Sequence, residues 1–138
     1  MKVYLDTNVL VSAFATRGLC ADILHAVMAE HQLIVGEAVL AEVRRVLRQK
    51  IRLQPAAVSE VEALLRQQGL LVTAAPPLAI KIRDADDLAI LSEAVAGGAD
   101  VLVTGDRDLL DIAAKAPLPI VTPRGFWELL RSNPEQNR

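Results

Sequence analysis

Residues 84–110 read DADDLAILSEAVAGGADVLVTGDRDLL. Acids crowd the start, and Asp86–Ala96 then follows with helical composition. Gly97-Gly98 marks a helix stop, and Val101–Thr104 is a short apolar run of strand length. The strand ends in Gly105 and Asp106, with Asp108 and Asp111 just beyond. Capping of a short helix after the strand explains these acids at the simplest level. Gly105 suits a tight turn there and lets Asp106 approach another backbone. The first ten residues, MKVYLDTNVL, repeat the pattern: Val3–Leu5 runs into Asp6, Thr7 and Asn8. These three are good helix starters, so capping is again the plain explanation.

Working outward, Leu33–Val35, Leu70–Thr73 and Ile120–Val121 are further strand candidates. Helical stretches alternate with them at Val9–Ala15, Ala21–Ala29, Ala38–Gln49, Ala56–Gln68 and Gly125–Arg131. Alternating strands and helices give an α/β fold with a mostly parallel sheet of four to five strands. The strands are apolar throughout, as in a sheet covered on both faces. The expected organisation is one domain over residues 1–131 and a polar, frayed tail over 132–138. In such sheets ligands bind beyond the carboxyl ends of the strands. If the first and fourth strands are neighbours, Asp6 and Asp106 share one rim.

Composition narrows the chemistry. Hydrophobic residues make up 52% of the 138, which suits a packed globule and excludes a disordered chain. Aromatic residues are only 3%, so no stacking platform for single-stranded nucleic acid is available. One cysteine, Cys20, excludes an internal disulfide or a cysteine metal cluster and reads as a small apolar residue. No leader pattern and no membrane-length apolar run occur, so a cytoplasmic protein without a membrane span is expected. The net charge of −2 gives no global attraction to nucleic acid. Arginines nevertheless outnumber lysines 11 to 4, and Arg44, Arg45, Arg48, Lys50 and Arg52 cluster.

Two further acids stand out. In Ala38–Gln49, Val39, Leu40, Val43, Val46 and Leu47 share one helical face, with Arg44, Arg45 and Arg48 opposite. Glu42 borders the apolar stripe. On its own it reads more simply as a half-exposed side chain paired with Arg45 or Arg48. Asp84 and Asp86 are sufficiently explained as helix-start residues. Asp87 falls in line with Leu91 and Ala94, on the apolar face, where an unpaired charge is costly.

Asp6, Glu42, Asp87 and Asp106 thus come from separate elements and can face one rim. Converging carboxylates without cations repel one another, and a hard divalent cation such as Mg²⁺ or Mn²⁺ resolves this. His25 and His31 form no zinc set. An acidic cation site without a nucleotide-binding Gly-rich loop points to phosphodiester hydrolysis. A phosphatase with a DxD nucleophile is disfavoured because Asp6-Thr7-Asn8 lacks the second Asp. A receiver domain is disfavoured because no lysine follows a late strand.

The segments YLDTNVLVSA, LAEVRRVL, residues 84–110 and PIVTPRGF resemble, in order and spacing, the PIN domain family and within it the VapC-like bacterial group. The resemblance covers about Met1 to Leu130. It implies a three-layer α/β/α sandwich related to 5′-nucleases and a Mg²⁺- or Mn²⁺-dependent ribonuclease. Carried over by position, its acids fall on Asp6, Glu42, Asp87 and Asp106, with Asn8 and Thr104 in supporting positions and Asp108 as an outer ligand. It also implies the toxin component of a toxin–antitoxin pair, an antitoxin partner and a homodimer. Arg44, Arg45 and Arg48 are candidate RNA contacts, although a solvated helix face explains them equally well. The competing reading is a non-catalytic or structure-specific PIN module that binds RNA or a protein.

Overall fold

In the computed structural model, residues 1–132 are described. Five strands form one sheet: β1 (Lys2–Leu5), β2 (Gln32–Gly36), β3 (Gly69–Val72), β4 (Val101–Val103) and β5 (Ile120–Val121). Their order is β3-β2-β1-β4-β5 and every pairing is parallel. Val3 sits opposite Leu33 on one side and Val101 on the other. The helices are α1 (Thr7–Ala15), α2 (Leu19–Glu30), α3 (Glu37–Gln49), α4 (Pro55–Gln68), α5 (Ala85–Ala96), α6 (Arg107–Asp111) and α7 (Pro123–Ser132), with a 3₁₀ turn at Ala113–Lys115. Together they flank the sheet in a three-layer α/β/α sandwich.

Val3, Tyr4, Leu5, Leu33, Ile34, Val35, Leu102 and Val103 are all buried. This explains why the strands carry no polar alternation. α3 presents Val39, Leu40, Val43 and Leu47 to this core. Val46, expected on the same stripe, is only half-buried and forms a cleft wall instead. α4 likewise buries Val58 and Leu65. Its Val61 and Leu64 stay partly exposed in a shallow groove with Phe14 and Leu53. Cys20 is half-buried against the core.

Several boundaries differ from the sequence reading, each for a local reason. α1 starts at Thr7 because Asp6 caps it; the Asp6 carboxylate accepts from Thr7 N–H at 2.7 Å. α7 starts at Pro123, whose ring presets the first helical turn. Its last residue is Ser132, which belongs to the helix and not to a tail; residues 133–138 lie outside the described residues. α6 is the short capped helix that the acids after Gly105 allow. Gly105 has neither a positive φ nor a crowded Cβ position, so no conformational need for glycine exists there. Gly98, at φ 70°, is the left-handed residue behind α5. Among the described residues, no single helix is long and apolar enough to cross a membrane.

The strand order places the site. β2 and β3 lie on one side of β1, and β4 and β5 on the other. The carboxyl ends of β1 and β4 therefore flank the topological switch point, where α/β sheets open a crevice.

Candidate metal centre

Asp6 leaves β1 at this crevice. Its N–H donates to Val103 O at 3.0 Å, extending the β1–β4 pairing by one residue. Its carboxylate is 4% exposed and accepts from Thr104 Oγ1 at 2.6 Å and from Asn8 Nδ2 at 3.3 Å. The Thr104 hydroxyl in turn accepts from Asp106 N–H at 2.9 Å. Asn8 Oδ1 accepts from Gly105 N–H at 3.1 Å. Thr104 and Asn8 thus lock the end of β1 to the turn after β4. Asp106 is then fixed as the cap of α6, accepting from Asp108 N–H at 2.8 Å.

Asp87 arrives from the first turn of α5. Asp84 caps that helix, accepting from Asp86 N–H at 2.8 Å, and both stay exposed. Asp87 turns inward and is 8% exposed. Carboxylate oxygens of Asp87, Asp106 and Asp108 lie within 4.8 Å of one another. Glu42 comes from α3, half-buried. Asp6, Glu42, Asp87 and Asp106 all line one cleft of about 400 Å³. Glu42 and Arg45 also border an adjoining groove with Asp86.

The electrostatics follow from this crowding. Burial pushes the Asp87 carboxyl up to about 7, helped by the Asp106 charge and hydrogen bond and by Asp84 and Asp6. Burial also raises Asp6, with Asp106 adding, against the hydrogen bonds from Thr104, Thr7 and Asn8. Glu42 is raised by burial and by the charges of Asp6 and Asp86, while Thr7 and Arg45 oppose. Among the described residues, none of these acids is held in an ion pair.

The donor set fits a hard divalent cation. It is all oxygen, and Asp6 keeps a lone pair on Oδ1 beyond its three protein hydrogen bonds. Thr7 lines the cleft with them, its buried hydroxyl beside Glu42. His31 instead lies beside the Met1 amino group at 3.3 Å, and neither histidine lines the cleft.

The basic segment divides. Arg45 and Lys50 line the cleft, beside Val11, Val46 and Ile51. Arg44 turns away to Glu62 at 3.0 Å, and Arg48 is exposed outside the cleft. Sequence reasoning missed Lys50's place in the cleft wall. It also missed Glu93, which is 6% exposed and bonded to Tyr4 Oη at 2.6 Å. The signal was present: one carboxylate inside the apolar run AILSEAVA, and one tyrosine inside a core strand, both needing partners.

Comparison with known proteins now becomes specific. The PIN domain family model matches residues 2–108. This chain belongs to the PIN domain family. No curated protein matches it. Among solved structures, this PIN chain is similar in fold to a chain in the crystal structure of VapBC2 from Rickettsia felis bound to a DNA fragment from their promoter. The TM-score is 0.61 at 18% identity, over 88% of this chain and 98% of that one.

Proposed function

We propose that this PIN protein is a Mg²⁺- or Mn²⁺-dependent endoribonuclease and the toxin component of a toxin–antitoxin pair. The observation that carries the reading is the convergence of Asp6, Glu42, Asp87 and Asp106 on one cleft, with none of them in an ion pair among the described residues. The VapC-like motif order and the fold likeness to the VapBC2 structure support the toxin role and an antitoxin partner.

Asp87, Asp106 and Asp108 would hold the ion, with Asp6 beside them and Glu42 on the facing wall. A divalent ion held by these residues would supply a more acidic water and charge neutralisation at the leaving oxygen. The chain's own residues supply the rest. Thr104 and Asn8 keep the Asp6 carboxylate aimed, as buried supporting contacts do in metal sites. Glu42, its carboxyl raised by burial, accepts a proton from the attacking water. Arg45 and Lys50 meet the phosphates flanking the scissile one. The protein acts as a cytoplasmic homodimer.

The test is cleavage of a single-stranded RNA pool by purified protein with Mg²⁺, with Mn²⁺ and with EDTA. Metal-dependent cleavage that Asp106→Asn abolishes is expected. RNA binding without cleavage under all three conditions favours the non-catalytic module.

A further inference from the structure

Glu93 sits outside the cleft but touches β1 and α3, and lies on α5, the elements that carry or lead into Asp6, Glu42 and Asp87. α3 begins at Gly36 and has no side chain of its own to cap it. Its first amides are taken by Glu93 of α5: Oε2 accepts from Ala38 N–H at 2.6 Å and Oε1 from Val39 N–H at 3.3 Å. Oε1 also accepts from Tyr4 Oη at 2.6 Å. A Cβ on Gly36 would overlap this carboxylate, so the close approach requires glycine.

Helix caps are ordinarily local, supplied by the residue at the helix start. Here the cap comes from 55 positions away, which makes it a tie between elements. The elements tied are those that carry the acids. Tyr4 lies two residues before Asp6 on β1, hence on the same sheet face. Ala38 lies one helical turn before Glu42 on α3, so holding its amide sets the rotational phase of Glu42. Glu93 shares α5 with Asp87. Asp106 needs no such tie, because Thr104 and Asn8 already fix its turn.

The geometry points to Glu93 as a positioning residue for the carboxylate cluster, setting where Glu42 and Asp87 stand relative to Asp6. This rests on the cluster being a divalent-cation centre. A plain structural cap would stabilise the fold without affecting cation affinity, and a charge effect would require only the negative charge of Glu93. Three variants separate these. Glu93→Gln removes the charge and one acceptor for backbone amides. Gly36→Ala keeps the charge and displaces the carboxylate. Tyr4→Phe keeps the charge and deletes one hydrogen bond.

The experiment is Mn²⁺ titration of the full chain, followed by the electron paramagnetic resonance signal of free Mn²⁺, with far-ultraviolet circular dichroism to establish folding. Glu93→Gln and Gly36→Ala are expected to weaken Mn²⁺ binding roughly tenfold, as lost supporting contacts do. Tyr4→Phe is expected to weaken it about threefold, for one lost hydrogen bond. Should Gly36→Ala not fold, Tyr4→Phe decides. Folded charge-preserving variants that bind Mn²⁺ like the unaltered chain overturn the proposal, whether or not Glu93→Gln weakens binding. No Mn²⁺ uptake by the unaltered chain overturns the cation reading itself, and this proposal with it.

Discussion

Replacing Asp87 by Asn should stabilise the metal-free protein, by a margin that grows from about pH 4 to pH 7 and is full above it. The Asp87 carboxyl is pushed from 3.8 to about 7 in the folded chain. The folded state therefore binds more protons than the unfolded state between those values, and stability falls as pH rises through that window. Above it, ionised Asp87 costs the fold about 4 kcal/mol by the bare pKa difference. The cleft is open to water, and solvent screening reduces this to about 2 kcal/mol. Losing the favourable contact of an acid with the α5 N-terminus removes only about 0.5 kcal/mol, so relief of repulsion wins. Thermal denaturation in EDTA should show Asp87→Asn melting roughly 5 °C above the unaltered chain at pH 8. The difference should shrink toward zero by pH 4. Adding Mn²⁺ at pH 8 should raise the unaltered chain and not the variant, because only a folded state with its ligands gains from binding. A variant less stable at pH 8, or a gap independent of pH, would refute the reasoning.

Other expectations follow from the same geometry. Asp87→Asn should abolish RNA cleavage, whereas Asp86→Asn, at an exposed position, should reduce it less than about threefold; equal losses in initial rate would contradict the inward placement of Asp87. Thr104→Val removes the hydroxyl that joins Asp6 to Asp106, and should destabilise by about 2 kcal/mol in urea denaturation, since Asp106 N–H loses its acceptor and the Asp6 carboxylate its shortest hydrogen bond. Arg52, with φ 62°, sits in left-handed conformation after α3, so Arg52→Gly should stabilise by about 1 kcal/mol with unchanged Mn²⁺ affinity.

Much of the fold was readable because its strands are largely apolar and three of its helices begin at aspartate caps. Asp6, Asp84 and Asp106 each cap a helix, so the acids that mark the site also mark element starts. That double role is why the plain capping explanation and the metal explanation looked alike in sequence. Asp84 caps α5 and stays exposed, reaching the site only through its charge on Asp87. Asp87 could be singled out because helical spacing set it with Leu91 and Ala94, which are buried. The basic run was less informative. Arg44, Arg45 and Arg48 all fall on the polar side of α3, and only the third dimension sends Arg44 to Glu62 while Arg45 lines the cleft. Glu93 escaped because its partners, Tyr4 and the amides of Ala38 and Val39, are distant in sequence and two of them are backbone groups.

The central claim is that the acids at the β1–β4 switch point hold a divalent cation. Anomalous diffraction from Mn²⁺-soaked crystals tests it most directly. The account predicts an anomalous peak in the cleft with Asp87 and Asp106 oxygens at roughly 2.1 Å, lost in Asp106→Asn crystals. An empty cleft at saturating Mn²⁺, or a peak elsewhere on the molecule alone, would contradict it.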